Sequence, residues 1–154
     1  MNAKVAIVIP VYKKLSSHSM NEKALFEQAK KVFKSRTLVL VGPSSLNTEF
    51  IAAERFNFIP FKNTFFKDKL TYSKLLCSQK FYQSFTNYDY IQIVQTDCWL
   101  FDDQLDDYTS RGFDYIGAPW MKNGFEGKPE PELWEVGNGG FSLRKVSSFL
   151  SIID

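Results

Sequence analysis

Val5-Ala6-Ile7-Val8-Ile9-Pro10 begins with an unbroken apolar run that stops at a proline. A strand with one wet face alternates apolar and polar side chains, and this run does not. It reads as a strand covered on both faces, the situation of a parallel sheet. Two later stretches have the same character: Thr37-Leu38-Val39-Leu40-Val41, ended by Gly42-Pro43, and Tyr90-Ile91-Gln92-Ile93-Val94-Gln95, followed by Thr96-Asp97. Phe56-Asn57-Phe58-Ile59 is a shorter candidate strand.

Helical patterns fill the intervals. Ser19-Met20-Asn21-Glu22 is a capping box, after which Leu25, Phe26, Ala29, Val32 and Phe33 recur on one helix face. Residues 44–55 suit a short helix, and a helix from Thr71 carries Tyr72, Leu75, Leu76, Tyr82 and Phe85 on one side. Strands alternating with amphipathic helices specify α/β architecture: a mostly parallel open sheet with flanking helices, Rossmann-like, in a single domain over residues 1–154. Beyond Asp102 the sequence predicts a short acidic helix, a strand at Tyr115-Ile116-Gly117 and a Gly-, Pro- and Glu-rich loop from Met121 to Glu135. Gly137-Asn138-Gly139-Gly140 then reads as a glycine-rich turn, before a strand at Phe141-Ser142-Leu143 and a terminal helix from Lys145.

The 154 residues are 16% aromatic, so rings fill much of the core. A net charge of +2 conceals a division: residues 1–80 carry 14 Lys/Arg against 5 Asp/Glu, and residues 81–154 carry 5 against 12. The lysines are scattered, which fits solvated helix faces better than a nucleic-acid surface, and no nucleic-acid partner is expected. Cys77 and Cys98 have no zinc-ligand spacing. The apolar run near the amino terminus is too short for a signal sequence or a membrane span, so a cytoplasmic protein with reduced thiols is expected.

In open α/β sheets ligands bind beyond the carboxyl ends of the strands, here Pro10 to Lys14, Gly42 to Ser45 and Thr96 to Phe101. Asp97 directly follows a strand, where it can serve as a ligand to a divalent cation or as a cap for the helix near residue 102. Asp102, Asp103, Asp106 and Asp107 read as helix-start residues on a solvated face. The glycine-rich segment, with Arg144-Lys145 beyond it, can cradle phosphate or make a hairpin turn, but it is neither a Walker loop nor a dinucleotide loop. His18 is the single histidine and no nucleophile elbow is present, which argues against a Ser/His/Asp or Cys/His centre. Trp99, Trp120 and Trp134 can stack on a base or sugar, or pack in the core.

The opening strand and loop, Val5 to Tyr12, resemble those of family-two GT-A glycosyltransferases, with Lys13 in place of the usual Asn. Three further blocks, Gln95-Thr96-Asp97-Cys98-Trp99-Leu100-Phe101, Asp114 to Trp120 and Val136 to Arg144, resemble the motifs of an uncharacterised microbial family of glycosyltransferase-like domains. That resemblance implies a GT-A, nucleotide-diphospho-sugar transferase-like fold that moves a sugar from a nucleotide-diphosphate donor to an acceptor hydroxyl on a glycan or another molecule. Gln95-Thr96-Asp97 would match a DxD motif lacking its first acid, with Asp97 holding Mn or Mg and Gln95 bonding a ribose or phosphate. Pro10, Val11, Tyr12 and Lys13 would face the base, and Trp120, Asn138, Gly139, Gly140 and Arg144 would line the donor side. Asp114 and Glu135 are the remaining candidate general bases. Members of the resembled family continue past the terminal helix to an acidic Asn-Glu-Asp segment, whereas this sequence stops at Asp154, so donor binding with weak transfer is expected. A noncatalytic sugar-nucleotide or glycan-binding module is the alternative, and a structural partner of another transferase chain a third.

Overall fold

The computed structural model describes residues 2–46, 55–122 and 132–153. A six-stranded sheet is flanked by helices, its strands ordered β3-β2-β1-β4-β6-β5. They are β1 (Val5–Pro10), β2 (Thr37–Pro43), β3 (Asn57–Phe61), β4 (Tyr90–Val94), β5 (Tyr115–Met121) and β6 (Leu133–Lys145). β1 is buried along its whole length and lies between β2 and β4, parallel to both, and β3 adds parallel to β2. The three apolar runs are therefore neighbouring interior strands, as their composition predicts.

Parallel order ends at β4. β6 runs antiparallel to β4, and β5 antiparallel to β6, so the sheet is mixed. Parallel neighbours need a crossover of about a dozen residues or more, and the connection between Met121 and Leu133 is shorter than that. A second difference concerns the glycine-rich segment. Gly137 to Gly140 does not form a separate turn but lies inside β6, and the loop expected from Met121 to Glu135 has β5 and β6 at its two ends.

Helices cover both faces of the sheet. On one, Leu25, Phe26 and Ala29 of α1 (Met20–Val32) meet Ile7, Ile9, Leu38, Leu40 and Val94. On the other, α2 (Lys69–Leu76), α3 (Gln79–Gln83) and α5 (Val146–Ile152) pack on Ala6, Val8, Val39, Val41, Ile91 and Ile93. α4 (Leu105–Ser110) is the short acidic helix. The capping box of α1 forms as its sequence predicts: Glu22 N donates to Ser19 Oγ at 3.3 Å, and Ser19 N donates to Glu22 Oε2 at 2.6 Å.

The helix expected from Thr71 through Phe85 is broken into α2 and α3. The Ser78 hydroxyl donates to Leu75 O at 2.7 Å, occupying a carbonyl near the end of α2. Of the helix expected over residues 44–55, positions 47–54 lie outside the described residues. No described helix is long and apolar enough to cross a membrane.

Candidate functional site

From β1 the chain passes to β2 and β3 on one side, and later to β4 on the other. That reversal opens a crevice beyond the carboxyl ends of β1 and β4, where open α/β sheets take their ligands. Val11 and Tyr12 form one lip and Gln95 to Cys98 the other. Pro10 and Val11 are buried; Val11 N donates to Val41 O at 2.8 Å, and a Cβ on Gly42 would come within 2.9 Å of Val11 O. These two residues therefore shape the lip instead of presenting side chains to it. Lys13 is turned aside into an ion pair with Glu22 at 3.0 Å.

Tyr12, by contrast, is half exposed and stands edge-on to Phe66 and Tyr72, with ring centroids 5.8 and 5.7 Å away. Burial, and then the negative charge of Asp97, push its hydroxyl up to a pKa of about 12. The Asp97 charge is thus near enough to act on the Tyr12 hydroxyl. The Asp97 carboxylate is exposed and accepts one long contact from the Cys98 thiol, 3.9 Å from Oδ1. It caps no helix: α4 begins at Leu105, whose N–H donates to Asp103 Oδ1 at 3.2 Å.

Two side chains of the amino-terminal half hold the loop that carries Asp97. Gln28 Nε2 donates to Leu100 O at 2.7 Å. Arg36 donates to both oxygens of Asp103, at 2.7 and 2.9 Å, and to Asp106 Oδ1 at 3.0 Å. Asp103 and Asp106, expected on a solvated face, are instead anchors, a role that sequence spacing alone does not reveal. Among the described residues no group of three or more His, Cys, Asp or Glu gathers as a metal site. A hard cation that takes most of its oxygens from phosphate and water needs only one or two carboxylates, so Asp97 fits that minimal requirement. Burial, and then the charge of Asp97, raise the Cys98 thiol above its ordinary pKa.

β6 reaches this crevice through a bulge. Gly117 pairs with Ser142, but the next β5 residue, Ala118, pairs with Asn138, so Gly139, Gly140 and Phe141 leave the β5 ladder. Gly140 O instead accepts from Gln95 N at 2.8 Å, and Gly140 N donates to Asn138 Oδ1 at 2.9 Å. A Cβ on Gly140 would sit 2.5 Å from Gln95 Oε1, so this glycine permits a close approach of backbone and side chain. Below the bulge Arg144 is buried, with its guanidinium bonded to Tyr82 Oη (2.7 Å), Ser142 Oγ (3.1 Å) and, weakly, Gly139 O (3.5 Å).

Gln95, Asp97, Tyr12, Asn138, Gly139 and Gly140 are thus brought together, with Arg144 beneath them. Other expected residues lie elsewhere. Past Ala118 and Asn138 the β5–β6 ladder continues as an arm beyond the end of β4, with half-exposed Trp120 paired opposite exposed Glu135 and beside Gly137. Asp114 precedes β5 at the opposite end of the sheet, where Asp114 O accepts from Lys145 N at 2.9 Å and its carboxylate accepts from the Ser148 hydroxyl. Asp114 therefore lies away from the crevice, its carboxylate held at the foot of α5. A cavity of about 480 Å³ opens on the α1 face of β4, β6 and β5, lined by Trp99, Leu105, Tyr108, Ile116, Phe141 and Leu143. Gln92, Asp102 and Gln104 add polar groups to its lining, and Trp99 and Phe141 place it next to the loop that carries Asp97 and to the bulge.

Residues 55–154 match the family described as "Protein of unknown function (DUF5672)". The chain belongs to the DUF5672 family. The match takes in β3 to α5, including Asp97, the bulge and Arg144, while β1 and its Tyr12 lip precede it. No curated protein matches this DUF5672 chain. Among solved structures it is similar to the X-ray structure of the mannosyltransferase Ktr4p from S. cerevisiae in complex with GDP. The TM-score is 0.43 with 13% identity, over 75% of this chain and 40% of that one. The DUF5672 chain therefore spans less than half of that protein's length, and a likeness of this size assigns no activity.

Proposed function

We propose that this chain is the donor-binding domain of a GT-A-type glycosyltransferase, taking a nucleotide-diphosphate sugar at the crevice between β1 and β4. The observation that carries this reading is the exposed Asp97 carboxylate at the carboxyl end of β4, free of any capping duty. The resemblance of the Gln95 to Phe101, Asp114 to Trp120 and Val136 to Arg144 blocks to glycosyltransferase motifs supports it.

In this reading Asp97, with Mn or Mg, holds the donor diphosphate. A cation bound there supplies charge neutralisation of the leaving nucleotide. Tyr12 offers its ring to the base and Gln95 its amide to a ribose hydroxyl or phosphate, while Asn138, Gly139 and Gly140 line the sugar side. Trp120 and Glu135 act from the arm. The acceptor hydroxyl of a glycan or another molecule then attacks the anomeric carbon, losing its proton to a base. A second reading, a noncatalytic sugar-nucleotide or glycan-binding module, is favoured by one observation: of the two acids expected to act as base, Asp114 lies at the wrong end of the sheet.

Calorimetry with UDP- and GDP-sugars, with Mn²⁺ or Mg²⁺ and with chelator, tests donor binding. Metal-dependent binding that weakens tenfold or more in Asp97→Asn is expected. Equal affinity in chelator and in Asp97→Asn would overturn the role of this carboxylate.

A further inference from the structure

Gln92 stands between Ile91 and Ile93 in β4 and is 3% exposed. A buried amide in such a strand is costly unless its hydrogen bonds are made. Its Nε2 donates to Ile93 O at 3.0 Å, which fixes the carbonyl end of the amide, and among the described residues that carbonyl oxygen accepts no hydrogen bond. The side-chain atoms that are buried without any partner, among the described residues, are His18 Nδ1 and Tyr72 Oη. The Gln92 oxygen is not one of them, so open space reaches it. That space is the cavity of about 480 Å³ on the α1 face, which Gln92 helps to line.

The rest of the inner wall is apolar. Phe33, Leu105 and Leu143 are buried there, with Ile116 and Ala118 beside them. The buried Ser142 hydroxyl is already committed, donating to Gly139 O and accepting from Arg144 Nε. Around the mouth stand four exposed rings, Trp99, Phe101, Tyr108 and Phe141, together with the exposed side chains of Asp102 and Gln104. Exposed rings gathered at the opening of an apolar cavity that holds one buried polar group have the make-up of a small-molecule site. An apolar cavity of about 150 Å³ holds one benzene, so this one has room for about two or three rings.

The lining decides the class of ligand. A sugar carries several hydroxyls, and each one left unpaired against the apolar wall lowers affinity about tenfold or more. A flat aromatic body with a single hydroxyl escapes that cost, since its rings meet the wall and its one donor meets the Gln92 oxygen. We propose that the cavity binds a small aromatic alcohol of two or three rings, whose hydroxyl donates to Gln92 Oε1 and whose rings pack against Leu105, Ile116 and Phe141. The inference goes beyond the donor-binding reading and does not rest on it, because the two sites have no assigned residue in common.

The probes are 2-naphthol and its methyl ether, which keeps the rings and lacks the donor, measured by calorimetry and thermal unfolding of the whole chain. The parent should bind 2-naphthol at submillimolar concentration and prefer it to the ether about 5- to 10-fold, as for one neutral hydrogen bond. Gln92→Leu should melt at the parent's temperature or higher, since an apolar group replaces a half-paired amide, and should bind the two probes within about twofold of each other. Ala118→Leu, which puts a larger side chain into the cavity, should weaken both probes about tenfold or more. The comparison of naphthol with its ether in the parent needs no variant, so it stands even where a substitution disturbs folding. No 2-naphthol binding by the parent at millimolar concentration, equal affinity for naphthol and ether, or naphthol binding untouched by Ala118→Leu would overturn the site. A preference for naphthol that persists in Gln92→Leu would overturn the role of the amide. Methyl glucoside bound as tightly as naphthol, and lost in Ala118→Leu, would overturn the aromatic class in favour of a sugar.

Discussion

Arg36, just beyond α1, grips both carboxylate oxygens of Asp103 at 2.7 and 2.9 Å and so fastens the loop carrying Asp97 to the first half of the chain. Both side chains are largely buried, and the carboxylates of Asp103 and Asp106 raise the guanidinium's pKa against the opposing effect of burial. Arg36→Ala is expected to cost about 1–3 kcal/mol, since it strands a part-buried carboxylate. Arg36→Lys should recover less than half of that, because an ammonium cannot reproduce the two-pronged contact. Urea denaturation checks both, and a stability equal to the parent's in Arg36→Ala would remove the anchor from the account.

The start of α1 sets two pH windows. Glu22 is held down at a pKa of about 2 from 4.5, first by the Ser19 backbone N–H and then by Lys13, so its contribution is complete above about 4.5 and is lost as pH falls toward 2. Burial lowers His18 below its ordinary 6.5. The folded state then holds it neutral while the unfolded chain takes up a proton, so stability also declines as pH drops below 6.5. The urea midpoint should fall in two steps on acidification, with Ser19→Ala costing about 1 kcal/mol near neutrality. His18→Gln should erase the upper step alone.

Gly140 and Gln95 occupy neighbouring space that a methyl group on the glycine would invade. Gly140→Ala should destabilise by about 0.5–1.5 kcal/mol, the cost of pushing the far end of the Gln95 side chain off its favoured rotamer. Gln95→Ala in the same chain should relieve most of that loss, since the obstructing atom is the Gln95 amide oxygen. A double-mutant cycle by denaturation measures the coupling, and strictly additive losses would contradict it.

If the chain transfers sugar, the two candidate acids should behave differently. Asp114→Asn is expected to leave donor affinity and turnover within about twofold of the parent, because the effect on Asp114 is confined to the foot of α5. Glu135→Gln is the informative variant, since general-base assistance contributes typically about 10² to 10⁴-fold in rate. Turnover assays across sugar nucleotides and acceptors compare them. Loss of activity in Asp114→Asn with unchanged folding would contradict the positions described here.

What could be read from the sequence follows from how local each signal is. The apolar runs of β1, β2 and β4 are interior because a strand apolar on nearly every residue must be covered on both faces, and the Ser19-Glu22 box is a contact within one turn. Asp97 was legible as a strand-end residue for the same reason, although its capping alternative could be discarded only once Asp103 was seen beside Leu105 N. The direction of β6 was not legible. Gly137, Gly139 and Gly140 signal a turn by local rules, and only the partner backbone at Gln95 draws them into a strand. Arg144 carries no mark of burial in its own segment, since Tyr82 and Tyr115, two of the rings around it, are distant in sequence, and only Phe149 is close by. Tyr72 reads as one more apolar-face ring until its hydroxyl is found without a partner.

The junction between the arm and the crevice is made by main-chain atoms, Gln95 N and Gly140 O. Such a joint does not depend on the side chains of the arm, so the ladder beyond Ala118 and before Asn138 can change its sequence without loosening its attachment to β4. The exposed positions Trp120 and Glu135 can therefore be changed without disturbing the joint that fixes the frame around Asp97.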